Sequence, residues 1–178
     1  MKSEYLLKAM VASLVFFVFI AAVLFLNVKV SAETEPKTAN FNALFNLEQD
    51  ETYIFDLVNE ERRKKGLSEL YWDENLSKMA RNYSRKMAKD NFFSHYDSDG
   101  ESVIERADKA KIKGWRKIGE NLFYCEGMTN YQSTAVKGWL RSSSHRQNML
   151  DRNWTDSGIG IAKSRDGRIY VTQVFIKR

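Results

Sequence analysis

The last stretch of the chain, Arg168 to Ile176, limits the fold more than any other. In an extended strand it presents apolar side chains on both faces: Ile169, Val171 and Phe175 on one, Tyr170, Val174 and Ile176 on the other. A strand of that kind has to be covered from both sides. Just before it runs a second period-two stretch, Gly158-Ile159-Gly160-Ile161-Ala162, and Arg165-Asp166-Gly167 separates the two. An Asp-Gly pair between such runs predicts a hairpin.

The covering layers are predicted upstream. Tyr53, Ile54, Leu57, Val58 and Glu61 follow helical spacing. Gly66 stops that helix after Arg62-Arg63-Lys64-Lys65, cations suited to its negative end. Leu70-Tyr71-Trp72 reads as a short extended bridge. Asp73 caps a second helix with the stripe Leu76, Met79, Ala80, Tyr83 and Met87. Asn91 ends it, and Asp97-Ser98-Asp99-Gly100 is a turn. A third helix is predicted over Ser102 to Lys111, with Val103, Ile104 and Ala107 inward. Gly119 to Tyr124 is strand-like, and Thr129 or Asn130 caps a fourth helix carrying Ala135, Val136, Trp139 and Leu140. Helices first and a hairpin last predict a layered α+β sandwich.

The N-terminus predicts export. Ala9 to Val28 carries no charge and follows Lys2 and Lys8, so it has the length of a membrane helix. Val30 and Ala32 also suit a signal-peptidase site. Residues 1–32 are therefore a signal peptide or a membrane anchor, with 9–28 in the bilayer if uncleaved. Either places the rest outside the cytoplasm. Residues 33–48, with Pro36 and no sustained apolar period, read as a linker, and 49–178 as one folded domain. The net charge of +5 falls to +3 once Lys2, Lys8, Lys29 and Glu4 are set aside. No basic run with interleaved aromatics points to nucleic acid. Cys125 is the only cysteine, so no intrachain disulfide can form. Its apolar setting predicts a small buried side chain.

Chemistry concentrates in three places. Trp139 to Leu150 reads as a helix end followed by a polar turn that bears Ser142, Ser143, Ser144 and His145. The other histidine, His95, follows Phe92-Phe93-Ser94, and Glu120 lies between Gly119 and Asn121. His95, Glu120 and His145 are expected to meet in one cleft. Two histidines and a glutamate can ligate zinc with a position open for water, although no His-Glu-x-x-His spacing is present. A Ser-His-Glu hydrolase using Ser142 is a second possibility, although there is no Gly-x-Ser-x-Gly elbow. A polar cleft that binds without chemistry is the third.

Phe93-Ser94-His95, Gly119-Glu120-Asn121-Leu122, the run from Ala135 through Trp139, Ser142 and His145 to Leu150, and Tyr170 to Phe175 together resemble the CAP superfamily. This group comprises the cysteine-rich secretory and pathogenesis-related proteins, or SCP-like extracellular domains, and the likeness is nearest its bacterial branch. The resemblance implies a three-layer α-β-α sandwich with a central cleft, in a secreted or surface-held protein. It also implies a tetrad of two histidines and two acids, able in some members to hold a divalent metal. His95 and Glu120 match two of the four. The second acid falls at Ser142 and the second histidine at Tyr170, while bacterial relatives place a histidine at His145. The expectation is an exported protein whose cleft binds a small apolar ligand, a peptide or an envelope component, without established catalysis. The alternative is a metal-assisted or serine-type hydrolase using His95, Glu120 and His145.

Overall fold

In the computed structural model the backbone is described from Glu35 to Arg178 and side chains from Leu47 onward. The predicted signal or anchor in residues 1–32 lies outside the described residues. Five helices and four strands follow in the order α1 (Glu35–Lys64), β1 (Tyr71–Trp72), α2 (Glu74–Asp90), α3 (Val103–Lys109), β2 (Lys117–Cys125), α4 (Tyr131–Arg141), α5 (Ser143–Met149), β3 (Asp156–Lys163) and β4 (Ile169–Lys177). Leu44–Arg178 forms one compact unit; Met1–Ala43 falls in another, of which only the start of α1 is described. Among the described residues no helix is long and apolar enough to cross a membrane.

The sheet runs β1-β3-β4-β2, with β1 parallel to β3 and the other pairs antiparallel. The predicted hairpin is β3–β4, and β4 is buried on both faces. Ile169, Val171 and Phe175 pack with Ile54, Phe55 and Val58 of α1 and with Ala135, Val136 and Trp139 of α4. Val174 and Ile176 face Leu76, Met79 and Ala80 of α2, with Ala107 of α3, and Tyr170 packs with Tyr83 and Met87. Each large side chain removed from water this way contributes about 1.5–3 kcal/mol. The result is the expected three-layer α-β-α sandwich.

Two glycines set the spacing of one layer. A Cβ on Gly158 would lie 2.3 Å from Ser77 N, and one on Gly160 would lie 1.9 Å from Arg81 N. Helix α2 therefore rests directly on the β3 backbone, where Ser84 Oγ donates to Gly160 O at 2.8 Å. On β3's outer edge, β1 pairs only Asp156 and Ser157. Further along, the Ile161 N–H is taken by the buried Glu51 at 2.9 Å, whose other oxygen accepts from Arg81 Nε at 2.7 Å. Burial pushes the Glu51 carboxyl up to about 7 against these donors.

Four expectations are corrected. Residues 33–48, read as a linker, are helical from Glu35 onward; Pro36 is tolerated because it stands in the first turn, where no N–H is needed. Arg62, read as a dipole-facing cation, is fully buried. It donates to Ser68 O at 3.0 Å and to Met149 O and Asp151 O, both at 2.9 Å, so it closes the end of α5. In α3 Ala107 is buried as expected, but Arg106 is buried beside it and Ile104 is exposed, because the buried carboxylate of Glu120 draws the guanidinium in. The segment read as a polar turn is the short helix α5. Cys125 is buried as expected, and burial pushes its thiol up, away from the reactive thiolate.

Candidate functional site

Strand β2 is the sheet's last strand, and the two helical layers meet at its edge. The Gly119-Glu120-Asn121 triplet serves both faces of the sheet. Gly119 leaves room for Trp154, whose Cζ2 would be 2.9 Å from a Cβ there. Glu120 turns to the side of α2 and α3. Asn121 turns to the side of α5, where its Nδ2 donates to His145 O at 3.0 Å and its Oδ1 accepts from Asn148 Nδ2 at 3.2 Å. Consecutive strand residues point to opposite faces, so one dipeptide fixes both histidine-bearing segments. Asn148 Nδ2 also donates to Glu120 O at 3.0 Å, and Trp139 Nε1 to Leu122 O at 2.9 Å. These side chains cap carbonyls that would otherwise leave β2 an open edge.

His95 sits on the loop that leaves α2. Tyr83 Oη donates to Ser94 O at 2.6 Å, and Ser94 Oγ accepts from Tyr96 N at 3.0 Å. Asp97 then nucleates the turn: Oδ1 accepts from Asp99 N and Glu101 N, and Oδ2 from Lys86 Nζ at 2.7 Å. The Lys86 ammonium, aided by those two amides, holds the Asp97 carboxyl down to about 2.

The carboxylate of Glu120 is buried, with both oxygens engaged. Oε1 lies 2.7 Å from His95 Nδ1, and Oε2 accepts from Arg106 Nη2 at 2.5 Å. Arg106 also donates to His95 O at 3.2 Å and Glu101 O at 2.8 Å, and its guanidinium carbon lies 3.4 Å from the Tyr83 ring centre. A carboxylate facing a guanidinium can only accept, so His95 carries a proton on Nδ1, and in the neutral ring it is Nε2 that holds the free lone pair. Half of the His95 side chain is exposed. His145 is half-buried; burial, then the charge of His95, lowers its pKa. The two imidazoles are therefore within electrostatic reach of each other. Phe93 and Tyr96, neighbours of His95 along the chain, are exposed, as is Tyr124, and the Phe93 and Tyr124 rings lie 5.5 Å apart.

His95 and Glu120 therefore bond directly, and His145 joins them through Asn121. Ser142 does not join: its Oγ pairs with Ser144 Oγ at 3.3 Å, and no hydrogen bond links it to an imidazole among the described residues. The metal reading does not fit this arrangement. Among the described residues no three His, Cys, Asp or Glu side chains are placed to hold a metal. The reason is local: Arg106 already supplies the cation for Glu120. Arg106 was not singled out in the sequence, and Tyr83 was read only as a core residue of its helix. An arginine three residues before Lys109 on a helix looks like any solvated cation.

Comparisons with known proteins agree with this fold. Residues 55–175 match the model of the cysteine-rich secretory protein family, CAP. An uncharacterized membrane protein of Bacillus subtilis is 36% identical over 130 residues, covering 72% of this chain and 34% of its own length. Among solved structures, an extracellular SCP-domain protein from Bacillus anthracis superposes with a TM-score of 0.66 at 28% identity, covering 83% of this chain and 45% of that one. An outer surface protein of Borrelia burgdorferi gives 0.66 at 24% identity, covering 73% and 93%, a likeness of fold. The chain belongs to the cysteine-rich secretory protein (CAP) family. It spans about a third of the length of the Bacillus subtilis relative.

Proposed function

We propose that this CAP domain works outside the cytoplasm, held at the membrane or released by its N-terminal segment, and binds a ligand in the hollow between His95 and His145. The observation that carries this reading is the oriented imidazole of His95. Its Nδ1 is committed to Glu120 and its Nε2 is left as an exposed acceptor. Beside it, Phe93, Tyr96 and Tyr124 offer apolar surface that the fold does not use. A polar acceptor flanked by exposed rings suits a small, largely apolar molecule or peptide that donates one hydrogen bond. The extracellular and outer-surface neighbours, and a relative named as a membrane protein, support the location.

Native mass spectrometry of the full chain tests this reading. A species that co-purifies with the wild type should be missing from His95→Ala and depleted in Tyr124→Ala, with melting temperature little changed. Identical loading of all three proteins would contradict it.

The Glu120–His95 pair favours one second reading, hydrolysis, with His95 Nε2 drawing a proton from water. Turnover on a peptide panel should then vanish in His95→Ala and persist in Ser142→Ala. Absence of turnover in the wild type would remove this reading.

A further inference from the structure

Away from the histidine hollow, the carboxyl end of α2 and the β3–β4 turn enclose a second hollow of about 720 Å³. Its walls carry Arg85 and Lys89 from α2, Lys163 at the end of β3, and Arg165 in the turn, all exposed. The one carboxylate in the wall, Asp166, is already used by Ser164 Oγ and, at 3.4 Å, by Arg168 Nε. Among the described residues none of the four cations has a carboxylate partner; Arg85 makes only a 3.3 Å contact to Asn82 Oδ1. Elsewhere Lys64, Lys86, Lys109, Lys117, Arg81 and Arg178 are paired with acids, while exposed lysines such as Lys65, Lys78 and Lys137 are not; the four cations here differ in lining one concave wall. The negative end of α2 accounts for Lys89. It does not account for the other three.

The backbone adds a donor. On β3 the Ile161 N–H points off the open edge to Glu51, whereas the Ser164 N–H points to Arg168 O on the β4 side. The two-residue period then sends the Lys163 N–H off the same open edge. A partner strand cannot extend along that edge, because Glu51 occupies the Ile161 position. A compact group can reach it.

We propose that this hollow binds a multiply charged phosphate group, either a free phosphate ester or the headgroup of a lipid. Arg85 and Arg165 offer planar forks that match phosphate oxygens, Lys89 and Lys163 supply point charges, and the Lys163 N–H supplies direction. Net cation excess in a concave wall also draws such an anion in from solution.

Pyrophosphate titrated into the full chain, followed by amide NMR, tests the proposal. Saturable shifts should centre on Arg85–Lys89 and Lys163–Asp166, weaken with added salt, and lose about tenfold in affinity in Arg85→Ser or Arg165→Ser. These side chains are exposed, so the variants fold. In a second arm, vesicles of phosphatidylglycerol in phosphatidylcholine should retain the wild type more than the two variants if the phosphate is a headgroup. Competition by pyrophosphate would link the two arms. Shifts that never saturate, or that fall equally on Arg146 and Arg152, would overturn the proposal. So would vesicle retention unaltered in the variants together with no pyrophosphate response.

Discussion

Arg106 and Glu120 form a buried ion pair at 2.5 Å, and it supports the exposed His95 from behind. The guanidinium holds one carboxylate oxygen and the imidazole takes the other, so the chain's own cation fixes the ring. The arrangement requires both charges to be present, because either one alone would be stranded out of water.

Removing one partner should therefore cost far more than removing both. Arg106→Met or Glu120→Leu alone should each destabilise by about 3–5 kcal/mol, and the double variant Arg106→Met/Glu120→Leu by clearly less than their sum. Urea unfolding of the three proteins measures the coupling. Additive losses would mean that the pair contributes only as two separate packing contacts.

The layer spacing makes a matched prediction at two glycines. Gly160→Ala should destabilise by about 3 kcal/mol or more, since its Cβ would meet the α2 backbone, which cannot yield as a side-chain tip does. Gly138→Ala, in α4, meets nothing closer than Phe123 Cδ2 at 4.0 Å and should gain about 0.4–1 kcal/mol. Thermal melting distinguishes the two.

Asp97 gives a pH dependence on the acid side. Its folded value of about 2 lies below the ordinary 3.8, so the folded state favours the charged form. The stability it contributes is present above about pH 4 and is lost as pH falls toward 2. The difference in unfolding free energy between wild type and Asp97→Asn should shrink over that window. A constant difference would show that the turn does not depend on the charge.

Much of this fold was legible in the sequence, because it was written in periodicity and caps. The α2 stripe, the Asp73 cap with its bonds to Asn75 N and Leu76 N, and the β3–β4 hairpin all rest on local patterns. The residues that draw the site together were legible only partly. His95, Glu120 and His145 stood out by type and by family resemblance. Arg106 did not, and Arg62 was not read as buried, because an arginine on a helix reads as solvated until a buried carboxylate or a helix end is found opposite it. That information is tertiary: Glu120 is fourteen residues from Arg106 and on another element. The helical course of residues 35–48 was missed because Pro36 and the threonines weigh against a helix in the interior, yet Pro36 falls in the first turn.

The two imidazoles should report on each other. Burial and then the His95 charge keep His145 below its ordinary 6.5, so its folded state favours the neutral ring. Stability linked to His145 is thus present above about pH 6.5 and lost as pH falls below it. In His95→Gln the repulsion is gone, and NMR titration should find the His145 pKa moved upward. An unchanged value would separate the two rings.

The protonation pattern of the His95 ring is the most direct test of the account. Nitrogen-15 NMR of the full chain, read on the neutral ring, should show Nδ1 protonated and Nε2 bare. In Glu120→Gln that preference should be lost, the ring shifting toward the Nε2-protonated form. A wild-type His95 already protonated on Nε2, or a tautomer indifferent to Glu120, would contradict the claim that Arg106 and Glu120 hold this histidine ready to accept from a ligand.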